Sequence, residues 1–319
     1  MTKKFDVICS GAALVDMVAK VERHPLDDDE VFVSDLTLLS GGAAANTAYA
    51  CGKLGLKSAF LGKLGENDVF GSKIIKDFNE VKVSTALLKY SKKYGTGSAY
   101  VALNKEGDRR IYAHSGAANY LSKEDVIEQE VLATKVIFLS SLKNLEPFIK
   151  VAKIGRKNNI PVILNPGMLI IDQSLKVIKE LLEKIDIFIL SQREFSTLLN
   201  IQEKPEEKTI VENAKTLLGL GIHVLIVTIG ERGAMLITNK RSELIPSTKV
   251  SQVVDTTGAG DAFSAGFIYG FVKNLSYAFE DLKHNVKIGN FVAGKCIQEL
   301  GARNGIPSPK EIKQILNIK

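Results

Sequence analysis

Short apolar, β-branched segments alternate with helical patterns through most of this chain, and this alternation is the feature that most constrains its fold. The segments with strand character are residues 5–10, 58–62, 136–140, 161–165, 185–190 and 224–229. The helices predicted between them are residues 44–54, 70–79, 146–157, 174–184 and 210–218. Strands and helices that alternate in this way form right-handed crossover units. The pattern therefore predicts an α/β fold with a mainly parallel central sheet and helices on both faces.

Two regions break the alternation and predict a small separate sheet. Residues 31–39 have the pattern of an exposed strand, and residues 96–103 and 109–114 have that of a hairpin around the turn 104–108. Because no helix lies between these segments, we expect a β-lid beside the main sheet, formed by about residues 17–40 and 95–115. No proline-rich or serine-rich linker divides the 319 residues, so a single domain, residues 1–319, is predicted.

The composition excludes several classes of function. The net charge of +6 is spread along amphipathic helices and aromatic residues are only 7%, whereas nucleic-acid binding needs a concentrated basic face. No apolar window is long enough for a transmembrane helix, and the first residues do not resemble a signal peptide. The three cysteines and four histidines are scattered, which argues against zinc, a disulfide framework and a histidine metal site. We expect a cytoplasmic protein with no nucleic-acid or membrane partner.

A loop with almost no side chains, residues 255–261 (D-T-T-G-A-G-D), precedes an apolar helix predicted at residues 262–272. Residues 249–254 before it are rich in β-branched residues and predict a strand. In one interpretation, Gly258 and Gly260 only allow a tight turn before an early-helix carboxylate, Asp261. In the other, the bare backbone lets an anion reach the N–H groups at the helix N-terminus. The loop alone does not decide between them.

Two similar tracts place a short polar side chain beside small residues. Asp16 follows a small-residue tract after the first strand, and Asn46 follows Gly41-Gly42 at the start of a helix. Ligands of open parallel sheets bind in the crevice beyond the carboxyl ends of the strands. We therefore expect Asp16, Asn46 and the 255–261 loop to follow strands and to converge on one crevice, suited to a polyhydroxy compound and a phosphate.

Together these motifs resemble the ribokinase-like (PfkB) family of sugar and nucleoside kinases. The resemblance rests on Gly41-Gly42-x-x-x-Asn46 and the 255–261 loop, and it includes Asp16, Gly62-x-x-Gly65-x-x-Asp68-x-x-Gly71, Gly116-Ala117-Ala118-Asn119, Asn165-Pro166 and Thr228-x-Gly230-x-x-Gly233-Ala234. It implies a Rossmann-like sheet with a β-lid, ATP, Mg²⁺, and transfer of the γ-phosphoryl group to a primary hydroxyl of a sugar. A nucleoside kinase of the same fold is the alternative, and a catalytically inactive sugar- or nucleotide-sensing protein is the second alternative.

The resemblance also implies roles for individual residues. Asp261 is implied as the catalytic base. The implied anion hole consists of the amides of Gly258, Ala259 and Gly260. The implied acceptor-binding residues are Asp16, Gly42 and Asn46. The implied nucleotide-binding residues are Thr228, Gly230, Gly233 and Asn290.

We also expect an Mg²⁺ site, a K⁺ site and a homodimer. Family members commonly carry Asn-x-x-Glu where this chain has Ser191-Gln192-Arg193-Glu194, so Glu194 is implied to serve Mg²⁺ through water, without the Asn. Asp255 and Thr257 match positions that supply oxygens to K⁺, with residues 296–301 closing the site; the alternative is that Thr257 caps the helix. Because a β-lid exposes one face, we also expect a homodimer formed through the lid.

Overall fold

A computed structural model describes residues 3–202 and 204–316. Its strands are β1 Phe5–Gly11, β2 Leu14–Val21, β3 Val33–Gly41, β4 Ser58–Leu61, β5 Lys63–Gly65, β6 Lys89–Ser91, β7 Thr96–Leu103, β8 Arg109–Gly116, β9 Thr134–Ser140, β10 Val162–Asn165, β11 Ile187–Ser191, β12 Val224–Thr228, β13 Ala234–Thr238 and β14 Ser242–Ile245. Its α-helices are α1 Ala43–Lys53, α2 Val69–Glu80, α3 Glu128–Val131, α4 Glu146–Lys157, α5 Met168–Ile171, α6 Ser174–Leu182, α7 Gln192–Leu199, α8 Glu207–Leu218, α9 Ala259–Phe271, α10 Phe279–Cys296 and α11 Pro309–Leu316. The predicted strands and helices of the alternating pattern are confirmed, with ends shifted by at most a few residues.

The central sheet has eight strands in the order β14-β13-β12-β11-β10-β9-β1-β4. The strands from β12 to β4 are parallel, and β13 and β14 are antiparallel at one edge. Side chains alternate between two cores, as in β9, where Val136 and Phe138 join one core and Ile137 and Leu139 the other. Helices cover both faces, so these strands consist of almost unbroken apolar residues. The predicted α/β architecture is confirmed.

The lid is a four-stranded sheet in the order β3-β2-β7-β8. The exposed strand and the hairpin predicted from the sequence are β3, β7 and β8; the alternation did not identify β2 as a separate strand. The lid is attached to α2 through Asp68, whose carboxylate accepts hydrogen bonds from the amides of Gly71 and Thr96, both at 2.5 Å. Asp68 therefore caps α2 and holds the first residue of β7, which explains its place in the glycine-rich tract around it.

The strand predicted at residues 249–254 is wrong. The chain leaves the sheet after β14, and this segment has no regular structure. Val253 and Val254 are 59% and 52% exposed, and the amides of Val254 and Asp255 donate to the carbonyl of Ile297 at 2.8 and 3.2 Å. β-Branched residues form a strand only where a neighbouring strand offers packing and hydrogen bonds. Here the neighbour is the turn that follows α10.

Among the helices within the described residues, none has the length and apolarity needed to cross a membrane.

Candidate active site

The side-chain-poor loop ends in a left-handed glycine that begins α9. Gly258 is the N-cap with φ +76°, and a Cβ there would lie 2.6 Å from the Cα of Ala302. Around the Cβ position of Gly260, by contrast, no atom lies within 4 Å. The first glycine is therefore required by the turn and its close packing, whereas the second borders open space. The turn thus accounts for Gly258, and at Gly260 the start of the helix is open on one side.

Asp261 lies in the first turn of α9 and faces α1. The Nδ2 of Asn46 donates to Asp261 Oδ2 at 3.0 Å. Burial raises the pKa of Asp261 to about 7, with an opposing contribution from the Asn46 hydrogen bond and Arg303 and a smaller raising effect from Glu194. A carboxyl group with this pKa exchanges a proton near neutral pH, as a general base must.

Asp16 and Asn46 are carried by different elements from those expected. Neither follows a central strand: Asp16 lies inside lid strand β2, and Asn46 lies in α1, which follows lid strand β3. The carboxylate of Asp16 occupies the space beside Gly41, and burial raises its pKa against the effect of Arg303. Gly42, with φ +94°, is the N-cap of α1. Asp16 therefore lies beside the N-terminus of α1, and Asn46 of the same helix contacts Asp261 of α9.

A lid residue that the sequence reasoning missed contacts the loop before α9. Arg109, the first residue of β8, places Nη2 3.4 Å from Asp255 Oδ1 and Nη1 3.3 Å from Thr257 Oγ1. Strand register aligns Asp16 with Ala99 and Ala113, so Arg109, four residues before Ala113, is on the same lid face as Asp16. Only the pairing of β2, β7 and β8 reveals this.

Asp255 organises its own loop. The amide and hydroxyl of Thr257 donate to Asp255 Oδ1 at 2.9 and 2.7 Å, and the amide of Gly301 donates to Oδ2 at 2.9 Å. No side chain caps α9 at Gly258, so the alternative in which Thr257 caps the helix is wrong. Burial raises the pKa of the neighbouring Cys296 thiol to about 12, so that thiol is neutral.

Ser191 and Glu194 form a capping box at the start of α7. Ser191 Oγ accepts from the amide of Glu194 at 3.2 Å, and Glu194 Oε2 accepts from the amide of Ser191 at 2.6 Å. Within the described part of the chain, Glu194 Oε1 accepts no hydrogen bond from a side chain or amide. Serine and asparagine are comparable N-caps, so the cap of α7 is kept although this chain departs from the family pattern.

The remaining candidates meet at the edge formed by β12 to β14. Thr228 is aligned with Ser191 across the parallel pair β11 and β12. Gly230 begins a 3-10 turn, and Gly233 has φ +104°. Asn290 Nδ2 donates to the carbonyls of Ile245 and Pro246 at 3.2 and 2.9 Å. Thr228, Gly230 and Gly233 thus lie at the end of β12 and in the turn that follows it, whereas Asn290 is buried and holds the segment after β14.

Three comparisons with known proteins bear on the family and the fold of this chain. Residues 4–309 match the family model described as pfkB family carbohydrate kinase. The chain is 28% identical to a ribokinase of Staphylococcus aureus over 99% of this chain and 100% of that protein, and 27% identical to a nucleoside kinase of Methanocaldococcus jannaschii over 95% and 93%. The structure of Arabidopsis thaliana ribokinase complexed with ribose and ATP superposes with a TM-score of 0.86, at 27% identity and with 100% of both chains covered.

The raised pKa of Asp261 predicts a pH-dependent difference in stability. Its value moves from 3.8 in the unfolded chain to about 7 in the folded one, so the folded state binds more protons and the stability of the wild type falls as pH rises through that window. Asp261→Asn cannot ionise. Its melting temperature, relative to the wild type, should rise between pH 5 and pH 8 in calorimetry. For the exposed control Asp27→Asn the difference should stay constant; a constant difference for Asp261→Asn would contradict the burial of the carboxylate.

Proposed function

The chain belongs to the pfkB family of carbohydrate kinases, phosphotransferases with an alcohol acceptor, and from that premise we propose that it transfers the γ-phosphoryl group of ATP to a primary hydroxyl of a sugar. The observation that carries the proposal is the contact between Asn46 and Asp261, at 3.0 Å, beside the open backbone of Gly260. In this proposal Asn46 binds the acceptor hydroxyls and Asp261 takes a proton, next to a helix N-terminus suited to phosphate.

The proposed reaction uses these groups in one displacement. Asp16, Gly42 and Asn46 hold the acceptor, and Asp261 takes the proton of the hydroxyl as the oxygen–phosphorus bond forms. The bond between the γ-phosphorus and its bridging oxygen breaks, and ADP leaves. The amides of Gly258, Ala259 and Gly260 stabilise charge on the transferred group, the main requirement of a loose transition state.

ATP is proposed to bind along the corner formed by Thr228, Gly230, Gly233 and Asn290, with its phosphates toward α9. The unengaged Glu194 Oε1 suits a magnesium site, because Mg²⁺ in such enzymes takes one or two carboxylates together with water and phosphate oxygens. When bound, Mg²⁺ would supply charge neutralisation of the phosphates. Glu194 would hold its water ligands, and Ser191 would hold Glu194.

A survey of acceptors tests the function. ADP release is measured with ATP and Mg²⁺ over a panel of free sugars and nucleosides, and the phosphorylated product is identified by mass spectrometry. Turnover of a sugar is expected. If only nucleosides were turned over, the protein would be a nucleoside kinase, the alternative, and not a sugar kinase. Binding of a sugar or nucleotide without turnover of any acceptor would favour the sensing protein and overturn the kinase.

Asp261 and Asp16 should respond differently to substitution. Asp261→Asn removes the proposed base, so kcat should fall by about 10²–10⁴ with little change in either KM. Asp16→Asn weakens a contact made with the acceptor before and during the reaction, so it should mainly raise the KM of the acceptor and leave that of ATP unchanged. Steady-state kinetics of both variants, with melting temperatures, checks this. A folded Asp261→Asn protein with near wild-type turnover would refute the base.

Substitutions of Glu194 and Ser191 distinguish binding of the metal from capping of the helix. Gln serves at the third position of a capping box as Glu does, so Glu194→Gln should keep the melting temperature and raise the Mg²⁺ concentration needed for half-maximal activity. Ser191→Ala removes the N-cap, so it should lower stability by about 0.5–2 kcal/mol with little change in the Mg²⁺ requirement. If Ser191→Ala changed the Mg²⁺ requirement more than Glu194→Gln does, the metal role assigned to Glu194 would be wrong.

A K⁺ site is proposed beside the anion hole at Asp255 and Thr257. The carboxylate and carbonyl oxygens there are suitable donors, and K⁺ would supply fixed positive charge. Because Arg109 already contacts both residues, Arg109→Gln should increase the ratio of activity in K⁺ to activity in tetramethylammonium at matched ionic strength. The control is Arg110→Gln, since the hydrogen bond that Arg110 makes within the described residues is to the carbonyl of Pro25. Equal activity in the two cations for both variants and the wild type would exclude the site.

A homodimer through the lid is also proposed. The lid leaves large apolar side chains exposed on one face of its strands, namely Leu36, Leu38 and Tyr112, and such a surface is typical of an interface. Sedimentation equilibrium should give twice the chain mass of 34.8 kDa, and Leu36→Glu should give the monomer. A monomeric wild type at micromolar concentration would contradict the proposal.

A further inference from the structure

A buried arginine lies behind the candidate acceptor site. Arg303 follows α10 in sequence, is only 8% exposed, and was not identified by the sequence reasoning. Its Nε donates to Asn46 Oδ1 at 2.9 Å, while Asn46 Nδ2 donates to Asp261 Oδ2 at 3.0 Å. Arg303, Asn46 and Asp261 thus form a continuous hydrogen-bonded chain from the interior to the candidate base.

The chemistry of the three groups fixes the orientation of the Asn46 amide. A guanidinium has only donors, and an ionised carboxylate has only acceptors. The amide oxygen must therefore face Arg303 and the amide nitrogen must face Asp261. With the amide turned over, its NH₂ would oppose the guanidinium and its oxygen would oppose the carboxylate. Arg303 selects one of two orientations that are otherwise nearly equal in shape.

The surroundings of Arg303 favour a role beyond packing. Its guanidinium lies against the rings of Tyr49 and Phe78, 4.8 and 5.9 Å from their centroids, and Nη1 is 3.5 Å from Asp77 Oδ2. Within the described residues, Nη1 and Nη2 have no hydrogen-bond partner. A buried guanidinium so incompletely paired costs stability. What it offers in return is positive charge within reach of both Asp16 and Asp261.

We propose that Arg303 is a positioning residue of the acceptor site: it fixes the amide of Asn46 and, through that amide, the carboxylate of Asp261 against the acceptor hydroxyl. This inference rests on the proposed kinase function and adds a residue to it. Arg303 does not touch the acceptor; it acts through Asn46.

The charge of Arg303 has a second consequence for Asp261. The groups that face this carboxylate are Asn46 from α1, Glu194 from α7, Cys296 from α10 and Arg303. The Cys296 thiol is neutral, so Arg303 is the cation that opposes Glu194. Burial lowers the pKa of Arg303 to about 10, which keeps it charged at neutral pH. Without that charge, the pKa of Asp261 should rise further.

The test compares Arg303→Met, which keeps length and apolar volume, with Arg303→Lys, which keeps charge. For Arg303→Met we expect kcat to fall by about 10- to 100-fold, the KM of the acceptor to rise, the KM of ATP to stay constant, and the acid limb of kcat to move to higher pH. In Arg303→Lys, which keeps the charge, the acid limb should return to near its wild-type pH, whereas kcat should recover less. The control, Asp77→Asn, removes the ion pair with Arg303 Nη1 and should lower the melting temperature without moving the acid limb.

A measurement without substrate separates this inference from the proposed function. The Asp261 carboxyl carbon is titrated by NMR in the wild type and in Arg303→Met, and a higher midpoint is expected in the variant. If Arg303→Met does not fold, Arg303→Lys is combined with Asn46→Ala, and the double variant should lose no more activity than Asn46→Ala alone. Unchanged kcat, acid limb and NMR midpoint in a folded Arg303 variant, or additive losses in the double variant, would overturn the inference. A wild type without turnover of any acceptor would instead overturn the kinase.

Discussion

The hydrogen bond between Asn46 and Asp261 is the constraint on which the rest of the site depends. It requires the first turns of α1 and α9, which are more than 200 residues apart in sequence, to lie side by side. Small residues make this approach possible: Ala44, Ala45 and Ala48 on α1 and Ala262 and Ala265 on α9 are all buried. Larger side chains would separate the helices. The small residues of both motifs are therefore required for helix packing, and they also leave space for a ligand.

Close approach of the two helices also determines the electrostatics. Asp261 and Asp16 are both partly removed from water, which raises the pKa of each. The charge of Arg303 acts on both carboxyl groups and opposes this rise, and at Asp261 the positive end of the α9 dipole acts in the same direction. The site therefore combines a carboxyl group that titrates near neutrality with the cation that limits how far its pKa rises.

Much of the fold could be predicted from the sequence, because parallel strands buried on both faces leave continuous apolar segments such as residues 136–140. Glycine-rich turns likewise revealed Gly258 and Asp261. The segment 249–254 was mispredicted because its β-branched residues have no strand to pair with. Arg109 and Arg303 were missed for a related reason: their partners lie 146 and 257 residues away in the chain, so no local pattern records the contact. The capping role of Ser191 became visible only in its hydrogen bonds with Glu194.

The loop before α9 is held by three separate parts of the chain rather than by a strand. Ile297 accepts its first amides, Gly301 donates to Asp255, and Arg109 reaches the same carboxylate from the lid. The first two contacts are local to the segment after α10, which also carries Arg303. The third comes from the lid, through the first residue of β8. Because the lid contact and any cation at Asp255 share one carboxylate, the position of the lid and the charge at this loop are thermodynamically linked, and whatever favours one state of the loop acts equally on the lid.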